Sequence, residues 1–415
     1  MTIRHSIVIA LVNLLLIGTA QATDFSYTPS ARTMMRADSN VRGGSTKQES
    51  AWGFEMGGGT TLRAQNDEWL SELIPNVNIR RFPIGNNLDS DGYSVAFNND
   101  WKRPGYVAGL DFSYSRDSTL GAETTETGIK NDVIDRDSIQ LQPSATWFAT
   151  DRLSLQGSFL FSDISFLKAG NTGFVDYRYL QGSAGANYLW QDDLQVFANF
   201  FVSDFSVPSL STKTRSYGGQ TGATWKWDQS LEITGAMGWI SSDVEFLNQQ
   251  LVVLFVPPPP HFAVISTPET TNTSGPIASA TIRKNFETVT AKLDYSRQVS
   301  PSGRGVQSSA DRIYGTIGKK FSNRLALEFD GLYEMRELQA QDITANASAL
   351  DLNHDYTELR GIVRYRFAPE WTISATYRFA HSIGTNVGNS TAVNGHSVYL
   401  VVDFNGLPKM FWNGL

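Results

Sequence analysis

The sequence predicts an all-β chain closed into a single transmembrane antiparallel β-barrel of about 18 strands. Three observations predict it. Apolar and polar residues alternate with period two almost to the end of the chain. Tight polar links alternate with long ones along the whole length, as short periplasmic turns and long extracellular loops do in an outer-membrane barrel. The composition also combines 24 Phe, 15 Tyr, 10 Trp and 35 Gly with a mean hydropathy of only −0.24. A strand with one lipid-facing and one water-facing side produces that mixture.

The chain opens with the order of a secretory signal peptide: Arg4, an apolar stretch over 7–16, then small residues at Ala20 and Ala22. Cleavage is expected after Ala22, so that residues 1–22 are the signal, 23–404 the barrel, and 405–415 a tail or an extension of the last strand. The signal's apolar core is shorter than a spanning helix, and no later stretch approaches the roughly 20 apolar residues that such a helix needs. The absence of cysteine excludes disulfides and thiol chemistry, and a net charge of −7 argues against nucleic acid as a partner.

Strands are expected near 25–35, 50–62, 68–82, 91–102, 105–116, 137–149, 152–166, 174–190, 193–207, 214–227, 230–246, 275–285, 288–299, 309–321, 324–338, 354–367, 371–382 and 396–404. The clearest is 152–162, with Leu153, Leu155, Phe159 and Phe161 on one face and Ser154, Gln156, Ser158 and Ser162 on the other. The count is even and puts both termini on the short-turn side, as a complete set of hairpins requires. Sixteen strands stay open, because the first two are the weakest. A β-propeller also gives regular short strands, but its blades do not keep the alternation of short and long links.

Four phrases carry a resemblance. They are Arg116-Asp117-Ser118-Thr119-Leu120; Val175-Asp176-Tyr177-Arg178-Tyr179 followed by Gly182-Ser183-Ala184-Gly185; Val299-Ser300-Pro301-Ser302-Gly303-Arg304-Gly305; and the ending Ser397-Val398-Tyr399-Leu400-Val401-Val402-Asp403-Phe404. In this order the chain resembles the Gram-negative outer-membrane beta-barrel proteins of the beta-barrel porin type. The resemblance implies location in the cell outer membrane, with its lipid and the barrel assembly machinery as partners. It also allows a role in exopolysaccharide export, since some members lie near such functions. Such barrels commonly finish on an aromatic residue read during assembly, whereas Phe404 here is followed by eleven further residues.

The residues that suggest chemistry are basic. On strand 354–367, Leu359, Gly361, Val363, Tyr365 and Phe367 share one face, which leaves Arg360, Arg364 and Arg366 on the other with Ile362. The next strand adds Arg378 to the inner side. Such a wall can select ions through its local field. The neighbouring strand offers Glu328, Asp330 and Glu334, which could instead neutralise the arginines as cross-strand pairs. Both readings stay open. Pro257, Pro258, Pro259 and Pro260, within a long segment at 247–274, favour stiff polyproline geometry and suggest a loop that could fold inward as a constriction. The alternative is that this segment merely continues its strand or forms a hairpin above the membrane.

His354, His381 and His396 should lie near the loop end of the last strands, yet no metal-binding spacing joins them, and no Gly-x-Ser-x-Gly elbow occurs. No cofactor and no enzymatic activity are expected. Trp52, Trp69, Trp101, Trp147, Trp190, Trp225, Trp227 and Trp371 are assigned to an interfacial girdle near the short turns, and Phe197, Phe201 and Tyr399 are the few inward aromatics. The sequence therefore predicts a pore for passive diffusion or export of a polar solute or surface polysaccharide. A closed structural or surface-recognition barrel is the alternative, and an outer-membrane enzyme is disfavoured.

Overall fold

The computed structural model describes residues 24–41, 49–85, 87–120, 133–168, 170, 174–254, 261–301, 307–338, 354–386 and 389–412. The first half of the wall is built by β1 (Asp24–Asp38), β2 (Ala51–Gln65), β3 (Trp69–Ile84), β4 (Ser90–Arg103), β5 (Tyr106–Ser118), β6 (Asp135–Phe148), β7 (Leu153–Leu167), β8 (Tyr177–Gln191) and β9 (Leu194–Val207). The second half runs through β10 (Thr212–Lys226), β11 (Leu231–Leu254), β12 (His261–Asn285), β13 (Val289–Pro301), β14 (Gln307–Lys320), β15 (Leu325–Leu338), β16 (His354–Arg366), β17 (Trp371–Asn386) and β18 (Asn389–Asn405).

Each strand pairs antiparallel with its sequence neighbours, and β1 closes the ring against β18. A four-residue strand, β19 (Lys409–Trp412), continues the line of β18 and pairs with the start of β1, Tyr27 opposite Lys409 and Phe25 opposite Trp412. The barrel therefore has 18 staves. Closure leaves no edge strand, which is what a sheet in lipid needs, since no water there can satisfy a free backbone group.

Alternation decides which face is which. On β7, Leu155 and Phe159 are exposed on the outer surface while Ser162, Ile164 and Phe166 are buried. On β16 and β17, Leu359, Val363, Tyr365 and Tyr377 are outward and exposed. Large apolar side chains turned to the surroundings from stave after stave form the exterior of an outer-membrane barrel, with acyl chains as their solvent.

Aromatic rings crowd the short-turn end: Trp147, Trp190, Trp225, Trp227, Phe286, Phe321, Phe367 and Trp371 are all exposed there. Two expected girdle members depart from it. Trp52 stands at the start of β2, at the long-link end, because the connection before it is a long one, and Trp69 is buried.

Local chemistry closes the short turns. Between β10 and β11, the Asp228 carboxylate accepts from the Ser230 backbone N–H and hydroxyl, each at 2.6 Å, and from the Leu231 N–H at 2.7 Å. These donors, the Ser230 hydroxyl foremost, hold its carboxyl well below the usual carboxylate range. Thr150 and Ser322 close their turns the same way through side-chain oxygens.

The segment 247–274, placed among the long links with strand continuation or a hairpin as the alternative to an inward loop, largely continues two strands. β11 and β12 stay in register from Leu231 opposite Lys284 to Leu254 opposite His261. The proline run 257–260 lies outside the described residues.

At the long-link end, connections far apart in sequence pack on one another. Val41, Ala51, Phe82, Leu88 and Leu120 form one buried apolar cluster with Val133 against it, joining the links after β1, β3 and β5. Ile164, Phe166, Phe174, Tyr177, Phe205 and Val207 form a second, in which Phe166 and Phe174 stack at 5.0 Å.

Candidate functional site

The inner face has two chemically different walls. Along β7 to β12 it is lined mainly by hydroxyls, with Lys226, Glu232 and Arg283 on the same parity near the short-turn end: Ser158 meets Ser183 at 2.7 Å, Ser216 meets Ser242 at 2.8 Å, and Thr224 meets Thr234 at 3.0 Å, each pair directly opposite in the ladder. Phe201 lies on this wall with Tyr179, Gln181 and Asn199, lining a cavity of about 300 Å³. A Cβ at Gly218 would stand 2.6 Å from the Phe201 Cζ, so that glycine gives the ring its room.

The other wall, from β14 through β18 to β1, is charged. It lines a cavity of about 540 Å³ with six arginines, Arg32, Arg36, Arg312, Arg360, Arg364 and Arg378, against four carboxylates, Asp330, Glu334, Glu358 and Asp403. Three of the four sequence-predicted arginines, Arg360, Arg364 and Arg378, therefore share one cavity. Arg366, nearer the short-turn end of β16, does not line it.

Arg360 and Arg378 sit directly opposite each other on β16 and β17. Like charges in that position repel. Glu358 offsets this repulsion, accepting from Arg378 at 2.6 Å while standing 3.3 Å from the Arg360 Nε. The Tyr356 hydroxyl donates to the same carboxylate at 2.5 Å, and Arg378 in turn donates to the Tyr356 oxygen. Arg360 also meets Asp330 at 3.1 Å, its direct partner across β15. Arg364 grips Glu328 with both terminal nitrogens, at 2.6 and 3.3 Å. Glu334 lies on this wall but pairs with Arg336 of its own strand at 2.7 Å, both side chains being buried.

Sequence reasoning left out Glu358, although its parity with Arg360 on strand 354–367 places it inward. Arg32, Arg36 and Arg312 also stand here; Arg32 and Arg312 fall on the expected strands 25–35 and 309–321, whereas Arg36 lies just past the first of these and joins the wall because β1 runs on to Asp38. Arg36 is packed between the rings of Phe82 and Tyr399, 5.5 and 5.6 Å from its guanidinium, and is bound to Asp38 at 2.6 Å. Tyr399, one of the expected inward aromatics, does line the cavity, as does Leu120 from the link after β5.

The two histidines with described side chains make separate contacts. His381 Nδ1 lies 2.7 Å from the Asn394 side-chain oxygen, and His396 Nδ1 lies 2.8 Å from the Tyr377 hydroxyl. Among the described residues no three His, Asp or Glu side chains are grouped as metal ligands.

No protein-family model matches the chain, and no curated protein matches its sequence. In fold it is similar to OccAB4 of Acinetobacter baumannii, with a TM-score of 0.49 and 9% identity, covering 94% of this chain and 99% of that one. It is also similar to OccK5 of Pseudomonas aeruginosa, with a TM-score of 0.46 and 9% identity over 93% and 98% of the two chains. OccK2 of Pseudomonas aeruginosa, solved in complex with glucuronate, matches with a TM-score of 0.46 and 9% identity over 94% and 99%.

Proposed function

We propose that the chain is an outer-membrane pore through which small polar solutes diffuse passively, with a preference for anions. The observation that carries this reading is the charged wall, where six arginines face four carboxylates around one cavity on the inner side of the barrel. A ring of 18 staves is wide enough for an aqueous channel unless loops fill it. A surplus of fixed positive charge beside low-dielectric walls raises the local concentration of anions and lowers that of cations.

Two other readings compete. Export of a surface polysaccharide rests on resemblance, and a neutral polymer would call for a track of inward aromatics. Phe201 and Tyr399 instead stand on different walls. A barrel with a closed lumen is favoured by the two buried apolar clusters among the long links.

Insertion of the purified, refolded protein into planar bilayers decides between them. Stepwise conductance with a reversal potential on the anion side in a KCl gradient is the expected result. A folded barrel that inserts and stays silent would establish the closed reading, and a cation-side potential would remove the role given to the arginines.

A further inference from the structure

The six arginines of the cavity are not equivalent, and their pairing separates them. Arg36 is enclosed by Asp38 and two aromatic rings. Arg360, Arg364 and Arg378 are each held at 2.6 to 3.3 Å by Glu358, Asp330 or Glu328. A guanidinium committed in this way has few donors left for a passing solute, and much of its field is cancelled.

Arg312 and Arg32 differ. Arg312 faces Glu334 across the β14–β15 ladder, but the Glu334 carboxylate is taken by Arg336, which donates to it from two nitrogens at 2.7 and 3.1 Å. No ion pair involves Arg312 among the described residues, and its side chain is exposed within the cavity. On β1, Arg32 reaches its ladder partner Asp403 only at 3.8 Å and is 57% exposed. The two stand on β14 and β1, at opposite margins of the charged wall, with the paired arginines between them.

We propose that Arg312 and Arg32 are two docking points for the carboxylate groups of organic anions, and that the three paired arginines between them are scaffold. Planar guanidinium donors match a carboxylate in two parallel hydrogen bonds. Two such points at the margins of one cavity suit a polycarboxylate, which engages one before releasing the other. The inference rests on the pore reading for its route, but not for the binding itself.

Citrate is the probe. In bilayers it should block the KCl current of the refolded chain in a saturable way. Arg312→Gln and Arg32→Gln should each raise the half-blocking concentration about tenfold, the loss of one charged hydrogen-bonded contact. Each should also move the reversal potential toward cations. Lys319→Gln, an equal charge change on the outward face of β14 near a short turn, in line with the exposed Ile313 and Ile317, should leave both readouts at the wild-type values. Wild-type block by citrate in both arginine variants would overturn the assignment.

Calorimetric titration of citrate into the refolded barrel in detergent separates the two readings. Binding that is lost in the variants, from a barrel that never conducts, would keep the docking points and sink the pore. A conducting, anion-selective barrel that binds no citrate would do the reverse.

Discussion

At the residue scale the lumen wall turns on Glu358. One carboxylate receives Arg378 and the Tyr356 hydroxyl and also stands beside Arg360, in a place where the Arg378 and Glu358 side chains are 13% and 14% exposed. Glu358→Gln keeps the shape but removes the charge, leaving Arg378 without its counter-ion. Breaking a pair that is largely shut off from water costs roughly 3 kcal/mol. The variant should therefore unfold at a clearly lower urea concentration than wild type, followed by tryptophan fluorescence. An unchanged midpoint would show that water already solvates Arg378. Parity made this residue readable from the alternation on strand 354–367, because it shares the inward face with Arg360 and Arg364. The partner of Glu334 was harder to foresee. A sequence supplies the cross-strand candidates, but Arg336 wins by lying two residues along the same strand on the same face.

At the scale of the element, the alternation that sets the faces also sets where glycine is needed. Phe201 on β9 points inward onto β10, directly opposite Gly218. A side chain at Gly218 would also come within 2.7 Å of the Trp239 carbonyl oxygen of β11. Gly218→Val must push the ring off its seat, at a cost of about 1–3 kcal/mol for overpacking. Gly235, on the adjacent strand, has no atom within 4 Å of where a Cβ would stand, so Gly235→Ala should change stability by less than about 0.5 kcal/mol. Unfolding of the two variants under the same conditions checks the contrast, and equal midpoints would mean that the ring has other places to go. The strands themselves were legible in the sequence because period-two alternation and turn residues are local signals. Phe201 was recognisable as an intruder on a polar face, but the glycine that admits it lies on another strand and only register brings the two together.

At the scale of the whole molecule, what the sequence could not show is how links distant in the chain meet. The cluster of Val41, Phe82, Leu88 and Leu120 joins three of them, and nothing periodic announces such contacts. The β11–β12 hairpin stood in the sequence only as one of two alternatives, for a different reason. The apolar run at 251–256 does not alternate, and the prolines after it signal a break, although backbone pairing needs neither face to be polar. Its upper part also stands apart from the ring. β10 pairs with β11 only as far as Glu245, and β13 pairs with β12 only from Ala278 to Asn285. Beyond these points the two strands pair only with each other for nine further positions on β11, Phe246 to Leu254, about 30 Å of ribbon. Replacing residues 248–267 by a two-residue turn therefore removes no pairing to the rest of the wall. The shortened barrel should refold as completely as wild type, judged by its electrophoretic mobility before and after heating. Its single-channel conductance should be unchanged, because a ribbon paired only to itself takes no part in the charged wall. A rise in conductance on shortening would instead place the proline run 257–260 inside the lumen as its constriction.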